Sequence, residues 1–150
     1  MELEARATSH RDPEPLDLAA FERLALFVMR LEEVPEDSEL SIALVDREEI
    51  AHLNEEYRGV QGPTDVLSFG CDDPCPTPGD EPVTLGDVVI APEVAMEQAE
   101  QAGVTVEARL DLLLVHGILH LLGYSHDDDE SAQAMEARES AILEAWADQE

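Results

Sequence analysis

Thr105-Val-Glu-Ala-Arg-Leu-Asp-Leu-Leu-Leu-Val-His-Gly-Ile-Leu-His-Leu-Leu-Gly-Tyr-Ser-His126 is the stretch that decides how this chain folds. From 106 to 122 it is apolar nearly all round, so it reads as a helix buried centrally rather than one lying on the surface. Thr105 is placed to cap its start and Gly123 to end it. His116 and His120 are four residues apart, which on a helix puts both imidazoles on one face, one turn apart. A turn at Gly123 lets His126 come back to the same point. A buried imidazole needs a polar partner, and three that converge suit a shared divalent metal. Zinc comes first and nickel is the alternative, with a fourth position open to water. A metal held this way lowers the pKa of its bound water to about 7 and polarises an oxygen as a Lewis acid.

The His-x3-His spacing also occurs in His-Glu-x-x-His metallopeptidases, where the glutamate is the general base. Here that position is Gly117. A glycine inside a helix costs about 1 kcal/mol relative to alanine, so its presence points to a close approach by backbone or substrate.

Working outward, Leu3 and Ala5 suit a short edge strand within a polar segment, 1–15. Apolar residues at helical spacing run from Leu16 to Glu33. Leu40–Val45 reads as a strand. Asp46 with Glu49 forms a capping box for a helix to about Tyr57, stopped by Gly59 and the Gly62-Pro63 pair. Asp65–Phe69 and Leu85–Ile90 read as strands around a proline-rich loop, 70–82. Pro92 opens a helix that Gly103 closes, and Asp127 with Glu130 caps a last amphipathic helix through Trp146. The order β-α-β-α-β-β-α-α-α predicts an α/β (α+β) fold in a single domain, 1–150. A small mixed sheet is packed with about five helices, the histidine-bearing one buried at the centre.

Composition narrows the function. The net charge is −28, from 36 acidic residues against eight arginines and no lysine. Such a field repels nucleic acid and acidic membranes at ordinary ionic strength, and a salty interior that screens self-repulsion is the physical way out. The apolar runs, Leu112–Val115 among them, are too short to span a membrane. The first residues show no basic and apolar leader pattern, which predicts a cytoplasmic protein. Cys71 and Cys75 read as free loop thiols. His10 and His52 are left outside the site. No glycine-rich dinucleotide fingerprint is read, so no dinucleotide cofactor is expected.

The sequence resembles a known family through three blocks in order. Leu114-Val-His-Gly-Ile-Leu-His-Leu-Leu-Gly-Tyr-Ser-His-Asp127 is similar to the signature of the YbeY family of bacterial endoribonucleases. Leu53-Asn-Glu-Glu-Tyr-Arg-Gly59 with Pro63-Thr-Asp-Val-Leu-Ser-Phe69, and Leu85-Gly-Asp-Val-Val-Ile-Ala-Pro-Glu93, resemble its other blocks. The resemblance covers about residues 40–143. It implies a zincin-like core and a metal held by His116, His120 and His126. It implies single-strand-specific RNA cleavage in 16S rRNA 3′-end maturation and ribosome quality control, with Arg58 required beside the metal. The implied partners are 16S ribosomal RNA, small-subunit ribosomal proteins and a ribosome-associated GTPase. Ser125 departs from the family's aspartate, Val60 from a common lysine and Gly70 from a usual proline.

The chemistry fits Arg58, whose planar fork of donors matches two phosphate oxygens. Asp65, Glu56 and the run from Asp127 to Glu130 are candidate general bases, and Thr64, Asp65 and Ser68 candidate orienting groups. Tyr57 and Tyr124 are the plausible base stackers. Two other readings stand beside the nuclease: a ribosome-assembly binding factor with little turnover, which the acidic surface favours, and a metallopeptidase on the same scaffold, which Gly117 disfavours.

Overall fold

A computed structural model describes residues 4–9, 18–34, 38–70, 83–124 and 128–148. Its elements follow the order that the hydropathy pattern predicts: β1 (Glu4–Ser9), α1 (Leu18–Leu31), β2 (Ser38–Leu44), α2 (Arg47–Arg58), β3 (Val66–Gly70), β4 (Val83–Ile90), α3 (Pro92–Ala102), α4 (Val106–Leu121) and α5 (Asp129–Asp148).

Local chemistry sets most boundaries. Asp46 Oδ1 accepts from the Glu49 backbone N–H at 2.8 Å, opening α2. Thr105 Oγ1 accepts from the Ala108 N–H at 3.1 Å, opening α4. Gly59 and Gly103 close α2 and α3 in the left-handed conformation that glycine adopts without steric cost. The start of α5 differs from expectation. The capping carboxylate is Asp128, which accepts from the Ser131 N–H at 2.7 Å. Asp127, the expected cap, lies outside the described residues. The hydrogen bonds from the Ser131 backbone and side chain hold the Asp128 carboxyl below its ordinary value.

The sheet is mixed, in the order β1-β2-β4-β3. β1, β2 and β4 are parallel, and β3 runs antiparallel to β4 at the edge. Strand alternation sends side chains to two faces. Ile42, Leu44, Val88 and Ile90 point to the face covered by α1, α4 and α5. Val45, Leu67 and Val89 point to the other, where α2 packs through Ile50 and Leu53. So α2 and α4 lie on opposite faces of the sheet.

The reading of α4 as a buried central helix holds: Leu110, Leu113, Leu114, Val115, Ile118 and Leu119 are all buried. It is sandwiched between the sheet and the α1/α5 pair. Trp146 packs on Phe27 with ring centroids 5.2 Å apart, and Arg138 Nε donates to Glu32 at 2.7 Å, tying α5 to α1. Among the described residues no helix is long and apolar enough to cross a membrane.

Candidate metal centre and its cleft

The i, i+4 spacing does what helix geometry requires. His116 and His120 stack edge to face with ring centroids 4.7 Å apart. Both rings are only partly buried, while their neighbours Leu114, Val115, Ile118 and Leu119 are buried in the core. Among the described residues no group of three metal-binding side chains forms. His126 lies outside those residues, as do His10, Cys71, Cys75 and Ser125.

A residue that the sequence reading passed over completes the pair's surroundings. Glu139, on α5, approaches His116 Nδ1 with Oε2 at 3.2 Å. Its side chain is only 8% exposed. A carboxylate can only accept, so Nδ1 carries the proton and donates it. In the neutral ring Nε2 then carries the lone pair, the state in which an imidazole binds a metal, and the carboxylate behind it fixes the ring's orientation. The donor chemistry therefore fits a divalent cation. A signal for Glu139 was legible: with Met135 and Ile142 it is one of the buried residues of α5, an acid within an apolar stripe.

Gly117 has its reason in the sheet. A Cβ there would lie 2.7 Å from Val88 Cγ1 and 3.2 Å from Ser68 Oγ. Ser68 Oγ also donates to the Gly117 carbonyl at 2.9 Å, pinning α4 to the edge strand. Residue 117 thus faces the sheet, and the position of the peptidase base has no room for a glutamate.

Arg58 is the last residue of α2 and is exposed. It forms no hydrogen bond or ion pair with the described residues, so its guanidinium is not tied to the histidines. Beside it, Tyr57 is 63% exposed and sits edge-on against Phe69, with centroids 5.2 Å apart. Tyr124 is partly buried. His52 is exposed and pairs with Glu56 at 3.2 Å.

Asp65, a candidate base or orienting group, is held by several hydrogen bonds. Its Oδ1 accepts from the Val66 N–H at 2.8 Å and lies 3.4 Å from the Thr64 hydroxyl, which donates to it. Its Oδ2 accepts from Arg109 Nη2 at 3.2 Å and Gln98 Nε2 at 3.3 Å. Arg109 Nε in turn donates to Gln98 Oε1 at 2.9 Å. This triangle ties the start of β3 to α3 and α4, and it borders a cleft of about 460 Å³ that His116, Glu136 and Glu139 also line.

Known proteins are similar to this chain over most of its length. The family model described as Endoribonuclease YbeY matches residues 7–147. A relative from Acidothermus cellulolyticus named Endoribonuclease YbeY is 43% identical over 153 residues, covering 97% of this chain and 92% of the relative. One of the same name from Thermobifida fusca is 44% identical, covering 88% and 87%. The solution structure of a protein from Thermotoga maritima superposes with a TM-score of 0.60 at 24% identity, covering 97% of this chain and 93% of that one, a likeness of fold.

Proposed function

The chain belongs to the endoribonuclease YbeY family, and from that premise we propose that it is a metal-dependent, single-strand-specific endoribonuclease of 16S rRNA 3′-end maturation and ribosome quality control, working in the cytoplasm. The observation that carries the reading is His116 beside His120 with its Nδ1 held by the buried Glu139. His116, His120 and His126 would hold one divalent ion, zinc or nickel. When bound, it supplies Lewis acidity and a water acidified towards neutral pH.

The chain's own residues do the rest. Glu139 holds the His116 ring by its Nδ1 and so favours the tautomer that presents Nε2 to a metal. The apolar shell of Leu113, Leu114 and Ile118 keeps water from the back of the histidine helix. Arg58 offers a fork of donors to a phosphate and stabilises the negative charge that builds on it as the phosphodiester is attacked. Being exposed and unpaired among the described residues, it is available to a substrate that spans from α2 to α4. The crowding at Gly117 speaks against a peptidase base.

The acidic surface gives a second reading some support. A charge of −28 suits docking on basic ribosomal proteins, and through them on the small subunit and its associated GTPase. The test separates the two. His116→Ala and Arg58→Ala, each checked for intact folding, should abolish or strongly reduce cleavage of single-stranded RNA, and only His116→Ala should lose bound metal. Unchanged cleavage in His116→Ala overturns the nuclease reading. Ribosome binding without cleavage in the wild-type chain leaves the assembly factor.

A further inference from the structure

The cleft beside His116 is lined by a stripe of α4 at helical spacing: Arg109, Leu112, Leu113 and His116. Arg109 and His116 are seven residues apart, so the stripe runs two turns, about 10 Å along the axis. Val66 of β3 adds to the apolar floor, and Asp65, Glu136 and Glu139 stand around it. Three carboxylates against one guanidinium make this lining net negative. A phosphate would be repelled from it, whereas a neutral group with N–H donors would not.

We propose that this cleft is a nucleobase subsite that receives a guanine next to the phosphodiester held at the histidine pair. The proposal rests on the nuclease reading above and deepens it. A cleft of about 460 Å³ with leucines below and polar groups at the rim has the size and make-up of a small-molecule pocket. The Watson–Crick edge of guanine presents one acceptor, O6, beside two donors, N1–H and the 2-amino group. Arg109 supplies the matching donor. Its Nε and Nη2 are engaged by Gln98 and Asp65, which hold the guanidinium rigid and leave its remaining N–H groups to a ligand. Glu136 supplies the matching acceptor. It is exposed on α5 and makes no hydrogen bond or ion pair with the described residues. Single-stranded RNA is read in this way, by hydrogen bonds to unstacked base edges. A carboxylate that expects two donors discriminates strongly against a base lacking one of them.

The test is titration of the full-length chain with guanosine, inosine and adenosine, followed by NMR shifts, alongside mapping of cut sites on an unstructured RNA of mixed sequence. Guanosine should bind at least tenfold more tightly than inosine, which lacks only the 2-amino group, and cuts should cluster beside guanines. Glu136→Gln, a surface change, should bring guanosine and inosine within twofold of each other without shifting the melting temperature. Equal affinity of the wild-type chain for the nucleosides overturns the proposal. So does a preference that survives Glu136→Gln, or an arginine-rich peptide that fills the cleft while cleavage shows no base preference. A chain that prefers guanosine but cuts no RNA defeats the nuclease reading alone. One that cuts RNA without base preference defeats the subsite alone.

Discussion

Gly117 of the histidine helix touches Val88 of the central sheet so closely that a single added carbon would lie 2.7 Å from Val88 Cγ1. That contact sets the depth at which α4 seats on the sheet, and hence where His116 and His120 emerge. It also explains a helix-interior glycine that local propensity disfavours.

Gly117→Ala should therefore destabilise the protein. Helix propensity gains about 1 kcal/mol, but overpacking a filled core costs about 1–3 kcal/mol, and Val88 Cγ1 belongs to a fully buried side chain with no room to retreat. Together these leave a net loss of up to about 2 kcal/mol in urea unfolding. Val88→Ala should show favourable coupling with it in a double-mutant cycle. A Gly117→Ala protein as stable as wild type contradicts the contact.

Glu139→Gln keeps the shape of the group behind His116 and removes its charge. Loss of such a partner weakens metal binding by about 10–100-fold. Chelator competition should show that drop while circular dichroism stays native. Unchanged affinity would mean that Glu139 serves packing and not the imidazole.

The cap at Asp128 gives a pH dependence with a definite sign. Its carboxyl is held below the ordinary value by the Ser131 hydrogen bonds, so the folded state binds a proton less readily than the unfolded one. The stabilisation is full above the unfolded value of about 4 and is lost as pH falls through the lower folded value. Asp128→Ala should melt below wild type at neutral pH, and the gap should close in acid. The group is exposed, so the effect is small. A gap that is constant with pH would assign the loss to something other than the carboxylate.

The net charge of −28 predicts a response to salt. Raising sodium chloride from about 0.1 M to about 1 M shortens the Debye length from about 10 Å to about 3 Å. Self-repulsion is then screened, and the midpoint of thermal unfolding should rise. Arg138–Glu32, a partly buried pair at 2.7 Å, should resist this screening better than the exposed Arg47–Glu97 pair. Unfolding that is independent of salt, or eased by it, would remove the case for salt adaptation.

What the sequence determined by itself is local. The caps at Asp46 and Thr105, the stops at Gly59 and Gly103, the buried run of α4 and the facing of His116 and His120 all depend on groups within a turn or two of each other. Hydrogen-bond reach and the 3.6-residue period therefore reveal them without any knowledge of the fold. The pair's partner was different. Glu139 lies 23 residues from His116 and meets it only because α5 folds back along α4. Asp65 reads in the chain as a candidate base or orienting group, and only the structure shows it bound by Arg109, 44 residues away, once β3 and α4 are brought together. Asp128 took the cap expected of Asp127, since two adjacent acids differ only in which one the helix start presents. The sequence placed the imidazole pair on one face of α4. Tertiary packing decided which carboxylate orients it, why residue 117 is glycine and where the adjoining cleft lies, because those pairings depend on how separate elements are brought together and not on spacing within one.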